Sequence, residues 1–201
     1  LTEGVDQLPI LQHALNQIWV AADQGNAEMD LLHYAKVGGM PVEELPEEQV
    51  AAFETWFAAL PADIKACYHA PSLQNVLDTH CNKLYEQAAS YYTEKTGQAI
   101  SNDDAKTIIK TAFTCLTKID QGRAVRNRMT LQEITHILGR PGIDSAIAGQ
   151  VLDIFREPGN TFIRPFINHD DADSHNLPAT QVLDITHESL IRNWLYLGQW
   201  A

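Results

Sequence analysis

The sequence predicts a mainly α protein in which a helical domain precedes a second domain that ends in a small β-hairpin. Three observations carry this. Apolar residues recur at helical spacing in several stretches, most clearly Ala105, Ile108, Ile109, Ala112, Phe113 and Leu116. Two capping-box patterns, Ser101 with Asp104 and Thr130 with Glu133, mark helix starts. Two β-prone runs, Thr161 to Ile167 and Gln181 to Thr186, flank a polar loop from Asn168 to Ala179.

Composition bounds the rest. The chain has 201 residues, 45% of them hydrophobic, which is enough to fill a real core. A net charge of -12 surrounds the molecule with a field that repels phosphate backbones and anionic lipid, so neither nucleic acid nor membrane is an expected partner. Cys67, Cys81 and Cys115 are odd in number, widely spaced and set in helical patterns, which suits reduced thiols in a cytoplasmic setting. The sequence shows no run of about 18 apolar residues and no basic-then-apolar leader. It starts at Leu1 and stops at Trp200 and Ala201 without a helix C-cap, and it reads as a piece of a longer chain.

In chain order, Leu8, Leu11, Leu15, Ile18, Trp19 and Ala22 mark an amphipathic helix, with Pro9 tolerated in its first turn and Gln24-Gly25-Asn26 at its end. A helical turn from Met29 to Tyr34 leads to Gly38-Gly39, which suits a sharp reversal. Between Pro41 and Pro71 the chain becomes acidic and Pro-punctuated. Glu43, Glu44, Glu47 and Glu48 precede a helix carrying Val50, Phe53, Trp56, Phe57 and Leu60, and carboxylates in a first turn favour a helix start. A long helix from Ser72 to Thr96 carries Leu73, Leu77, His80, Leu84, Ala88 and Tyr91 and completes a helical domain over residues 1–98.

The second domain, residues 99–201, begins with the Ser101-capped helix. A short helix through Leu131, Ile134, Ile137 and Leu138 stops at Gly139-Arg140-Pro141-Gly142, and a third runs from Asp144 to Phe155, ended by Pro158-Gly159. With the two β-prone runs, the order helix, helix, helix, strand, loop, strand is winged-helix-like.

The candidate site lies where the last strand becomes a helix. Val182, Asp184 and Thr186 alternate with Leu183 and Ile185, and after His187 the spacing turns helical through Leu190, Ile191, Trp194 and Leu197. Thr186 is the expected N-cap. That sets the His187 ring beside free N–H groups and a positive dipole end, which attract phosphate. The basic stretch from Lys118 to Arg128, with Arg123, Arg126 and Arg128, is either an exposed charged turn or an anion or interdomain contact.

Other chemistry is weaker. A winged helix suggests DNA binding, yet the third helix offers Asp144, Ser145, Gln150 and Asp153, with Arg156 at its far end. The loop carries Asp170, Asp171 and Asp173, so both surfaces have the wrong sign for phosphate. The loop from His169 to His175 lacks the Gly and terminal Glu of a calcium loop, and no metal site is expected. His13, His33, His69, His80 and His136 fall in helical patterns and read as packing or surface residues. A nucleophile elbow, H-E-x-x-H and a phosphate loop are all missing, so no catalytic residue is expected.

Five short blocks in order resemble the region after the P-loop domain of STAND signalling ATPases, most of all the bacterial novel STAND NTPase family. They are Leu8 to Leu15 with Trp19; Tyr34 through Gly39; Gly122-Arg123 through Arg126; Phe155-Arg156; and Asp184 through Trp194. The stretch 41–72 departs from the pattern as an apparent insertion, and Gln7 stands where such motifs often have Gly. The resemblance implies a regulatory fragment without its own cofactor or catalysis, belonging to a cytoplasmic ATPase that binds ATP or ADP with Mg on an upstream P-loop domain in cis. It further implies a downstream repeat domain and self-association on activation. Pro9 matches a nucleotide-touching Pro, and His187 with Glu188, Leu190 and Ile191 matches the His that reaches the β-phosphate of ADP in the resting state. The competing expectations are a winged-helix transcription regulator and an interaction scaffold without a nucleotide link.

Overall fold

The computed structural model describes residues 7–200, so Leu1 and Ala201, the ends that read as cut, lie outside the described residues. The protein is mainly helical with two small antiparallel sheets. It divides into two compact units, Leu1–Lys83 and Leu84–Ala201, and the division falls inside one long helix, Val76–Thr96.

The first unit holds α1 (Gln7–Ala21), α2 (Leu31–Lys36), α3 (Glu47–Ala58), α4 (Ala62–Ala66) and the start of α5 (Val76–Thr96). Asp30 caps α2 reciprocally with His33: the His33 N–H donates to Asp30 Oδ1 at 3.1 Å and the Asp30 N–H to His33 Nδ1 at 3.3 Å. The reversal at Gly38-Gly39 needs glycine for packing as well as turning, because a Cβ on Gly39 would lie 1.8 Å from the Tyr34 ring. The apolar face of α1 differs from the expected one. Ile10, Ala14 and Ala22 are buried, whereas Leu8 is 63% exposed and Leu11, Leu15 and Trp19 also face outward. Small Ala14 lets the backbone of α1 approach its neighbours, and the larger Leu side is left outside.

A histidine pair links α1 to α5. His80 Nδ1 lies 3.1 Å from His13 Nε2, with the rings stacked at 5.1 Å. One nitrogen must donate and the other accept, so at least the accepting ring is neutral. Burial holds the His13 pKa down to about 4.

The second unit adds α6 (Asn102–Cys115), β1 (Thr117–Asp120), β2 (Arg123–Arg126), β3 (Arg128–Thr130), α7 (Leu131–Leu138), α8 (Ser145–Leu152), β4 (Ile163–Arg164), β5 (Val182–Ile185), α9 (Glu188–Asn193) and α10 (Leu195–Trp200). Ser101 caps α6, and Thr130 and Glu133 form the full box on α7. The hydroxyl and N–H of Thr130 hold the Glu133 carboxyl below the usual range. All six predicted inward residues of α6 are buried. The sheet order is β3-β5-β4, with Arg128 opposite Asp184 and Ile163 opposite Ile185.

Three local expectations are corrected. The stretch Lys118 to Arg128 is no turn between helices: β1 and β2 form a hairpin whose Gln121 and Gly122 both take positive φ, 48° and 76°, as a tight two-residue turn demands. The last helix is broken at Trp194, whose backbone is extended (φ -89, ψ 106). Its ring is fully buried against Phe113 at 4.9 Å and Phe155 at 5.8 Å, and that packing outweighs helix continuity. The N-cap of α9 is His187, not Thr186, because pairing of β5 through Ile185 and the Thr186 N–H bond to Phe162 O keep Thr186 in the strand's hydrogen-bond pattern.

Arg156 is the deepest charge in this unit. It is 0% exposed and pairs with Asp153, while Nε donates to Pro165 O at 2.6 Å and Nη2 to Ser174 O at 2.8 Å. Lys95 Nζ reaches the other Asp153 oxygen at 2.9 Å. Burial pushes the Asp153 carboxyl up, although Lys95 and Arg156 oppose that shift.

Two outcomes are expected. Arg156→Ala leaves Asp153 buried beside one lysine and lowers unfolding free energy by about 3–5 kcal/mol in urea titrations, with partial recovery in Asp153→Asn/Arg156→Met. The unfolded chain takes a proton on His13 below pH about 6.5, and the folded chain only near 4. Stability is therefore full above that upper value and declines as pH falls between the two. Between pH about 7.5 and about 4.5, wild type should lose about 2–3 kcal/mol more than His13→Gln.

Candidate functional site

The side chains before α9 are assembled by strand pairing. β5 runs between β3 and β4, so its polar face meets the basic residues that follow the hairpin. Arg128 Nε donates to Asp184 Oδ2 at 3.0 Å, across the register pair, and Arg126 Nη1 lies 3.8 Å from the same oxygen. Arg126 Nη1 also donates to the carbonyls of Ile185 at 3.1 Å and Thr186 at 3.4 Å. The guanidinium thus sits on the two carbonyls immediately before His187.

His187 is exposed, with extended backbone (φ -141, ψ 136), and its side chain makes no bond to the helix it caps. The ring is therefore not used in holding α9 together. That helix is short, Glu188–Asn193, and stands on buried Ser189, Leu190 and Ile191; Arg192 Nη1 lies 3.5 Å from Glu188 Oε2. Asp184 Oδ1 and Thr186 Oγ1 are buried with no hydrogen-bond partner among the described residues. Unmet acceptors of this kind cost stability, and native proteins keep few of them.

The candidates separate accordingly. Arg126, Arg128 and His187 come together around the end of β5. Arg123 belongs to the same hairpin, opposite Asp120, but is exposed and its guanidinium has no hydrogen bond or ion pair among the described residues. Pro9 lies in the first turn of α1, half-buried, and belongs to the first unit. Asp184 is the residue the sequence analysis did not single out. Its signal was its place on the polar face of a strand, but its partner strand, β3, is only three residues long and carries no β pattern of its own.

The other sequence candidates have structural occupations. Arg156, which the sequence places at the far end of the third helix, is buried and unavailable to a phosphate. The loop from His169 to His175 is folded on itself: Ser174 Oγ donates to Asp171 O at 2.7 Å, and His169 Nε2 lies 3.1 Å from Glu157 Oε2. Among the described residues no group of three or more His, Cys, Asp or Glu side chains is arranged to hold a metal. No described helix is long and apolar enough to cross a membrane.

Arg126→Ala should release the carbonyls before His187 and speed amide exchange at Glu188 and Ser189 by roughly fivefold, the effect of about 1 kcal/mol of local stability. Arg123→Ala, which removes no contact, should leave those amides unchanged in the same exchange measurement. No protein-family model, curated protein or solved structure matches the chain.

Proposed function

We propose that the chain is the helical and winged-helix regulatory part of a STAND-class signalling ATPase, and that His187 reports on the nucleotide carried by a P-loop domain elsewhere in the parent protein. The observation that carries this reading is an exposed imidazole held at a strand-to-helix junction with the Arg126 guanidinium on the two preceding carbonyls. Here the local balance is basic: Arg123, Arg126, Arg128 and Arg192 against Asp120, Asp184 and Glu188. On a chain of net charge -12 this is a place where a phosphate is tolerated.

Apart from the β1–β2 hairpin inserted after α6, the order α6, β3, α7, α8, β4, loop, β5 with sheet order β3-β5-β4 supports a winged-helix reading of the second unit. DNA binding is disfavoured on charge. Arg156 is buried, whereas Asp170, Asp171 and Asp173 are exposed on the loop that would serve as the wing.

The mechanism is a latch. A hydrogen bond from His187 to a charged phosphate contributes about 1.5–3 kcal/mol, which biases a two-state equilibrium by roughly tenfold to a hundredfold. With ADP and Mg on the parent's P-loop domain, His187 would hold this module closed, and loss of that bond on exchange for ATP would release it and expose surfaces for self-association. Pro9 would line the same nucleotide in the closed state.

In the parent protein, His187→Ala should raise the ADP release rate by roughly tenfold or more. An unchanged release rate removes His187 from the role and leaves the scaffold without nucleotide linkage as the better reading. The 201-residue chain alone should show no micromolar affinity for ADP in calorimetry.

A further inference from the structure

The segment from Pro41 to Ser72, for which the resemblance offers no counterpart, builds much of a cleft within the first unit. Its volume is about 620 Å³, well inside the roughly 300–1,000 Å³ typical of small-molecule sites. Its walls are aromatic. Phe53 and Phe57 on α3 stack at 5.7 Å and 14°, and the Tyr68 ring stands on edge to Phe57 at 5.6 Å and 88°. Two nearly perpendicular ring planes form a corner. Tyr68 is fixed there because its hydroxyl donates to Lys36 O at 2.7 Å.

Two carboxylates and one ammonium line this cleft. Glu43 and Glu54 line it, both are exposed, and neither carboxylate has a hydrogen bond or ion pair among the described residues. Lys65 also lines it, but its ammonium donates to Ala58 O at 2.8 Å, at the C-terminal end of α3. Between Pro41 and Ser72 six acidic side chains, Glu43, Glu44, Glu47, Glu48, Glu54 and Asp63, face one lysine in the sequence. Neighbouring rings already attract cations: Lys36 Nζ lies 5.6 Å from the Trp56 centroid and Lys83 Nζ 5.5 Å from that of Tyr68.

The two lining carboxylates outnumber the one lining ammonium, so the cleft favours a cation over an anion, and a neutral apolar molecule would leave two carboxylates idle. The geometry points to a binding site for a small organic cation, an ammonium group on an apolar or aromatic body. The body packs in the corner made by Phe53, Phe57 and Tyr68, and Glu43 and Glu54 take the charge. This site is independent of the nucleotide reading and gives the segment 41–72 a role of its own.

The test is calorimetric titration of the 201-residue chain with benzyltrimethylammonium, benzyl alcohol and phenylacetate, with backbone amide shifts recorded alongside. Benzyltrimethylammonium should bind one to one and shift amides of α3 and of the Tyr68 region, more weakly at high salt. Glu43→Gln/Glu54→Gln, at two exposed positions, should weaken it roughly fivefold, and His187→Ala should leave it unchanged. Phenylacetate should give no binding. The inference is overturned if phenylacetate or benzyl alcohol binds as tightly as the cation, if the double variant keeps wild-type affinity, if the shifts fall elsewhere, or if the cation fails to bind at millimolar concentration.

Discussion

Arg156 has lost all contact with water, and a guanidinium in that position is tolerable only where its donors are met. Here they reach Asp153, the carbonyl of Pro165 and the carbonyl of Ser174, three points separated along the chain. The charge therefore ties the end of α8 to both limbs of the loop joining β4 to β5. That loop sets how β5 enters the sheet, and β5 in turn sets where Asp184, Thr186 and His187 stand. Asp153 would be costly to bury alone, and Lys95 on α5 shares it. The Phe113, Phe155 and Trp194 rings close the space beside it, with Phe113 and Phe155 at 5.0 Å. Charge and aromatic packing thus act on the same residues, since Phe155 and Arg156 are adjacent.

The two ends of β5 differ in what the chain asks of them. Toward β3 the strand is satisfied by ladder bonds and by Arg128 on Asp184. Toward α9 the backbone leaves the ladder, and Arg126 takes up the freed carbonyls that no strand can meet. Nη1 of Arg126 alone makes these contacts, donating to both carbonyls and lying 3.8 Å from Asp184 Oδ2. The imidazole at 187 is left outside these bonds, free to meet something else.

The first unit follows a different logic. Its core near α5 admits polar groups, Asp78, His80 and Asn82 among them, and settles them with one another, as in the Asn82 bond to Asp78 at 3.0 Å. His13 stays neutral because burial disfavours its charged form. The aromatic side chains of α3 are concentrated on one side, where α4 and Tyr68 leave an acidic opening. That acidic, Pro-punctuated stretch looked like a solvated helix start in the sequence. Its carboxylates at Glu47 and Glu48 do occupy the first turn of α3, while Glu43 and Glu54 line the cleft.

Local rules determined the helices of the second unit. The one-way cap at Ser101, the full box at Thr130 and the inward set of α6 depend on residues three or four apart, which the chain carries wherever it is placed. The mainly helical class was legible for the same reason, as were the two C-terminal β-prone runs. The hairpin from Thr117 to Arg126 was not, because its exposed strands lack an apolar face and Gln121-Gly122 is a weaker turn signal than Asn-Gly. Arg126 and Asp184 are 58 positions apart, and no spacing rule joins residues whose meeting depends on which strands pair. Burial of Arg156, the outward turn of Leu8, Leu11 and Leu15, and the break at Trp194 were decided only when whole elements packed, since each reverses a local preference for a larger gain across the core.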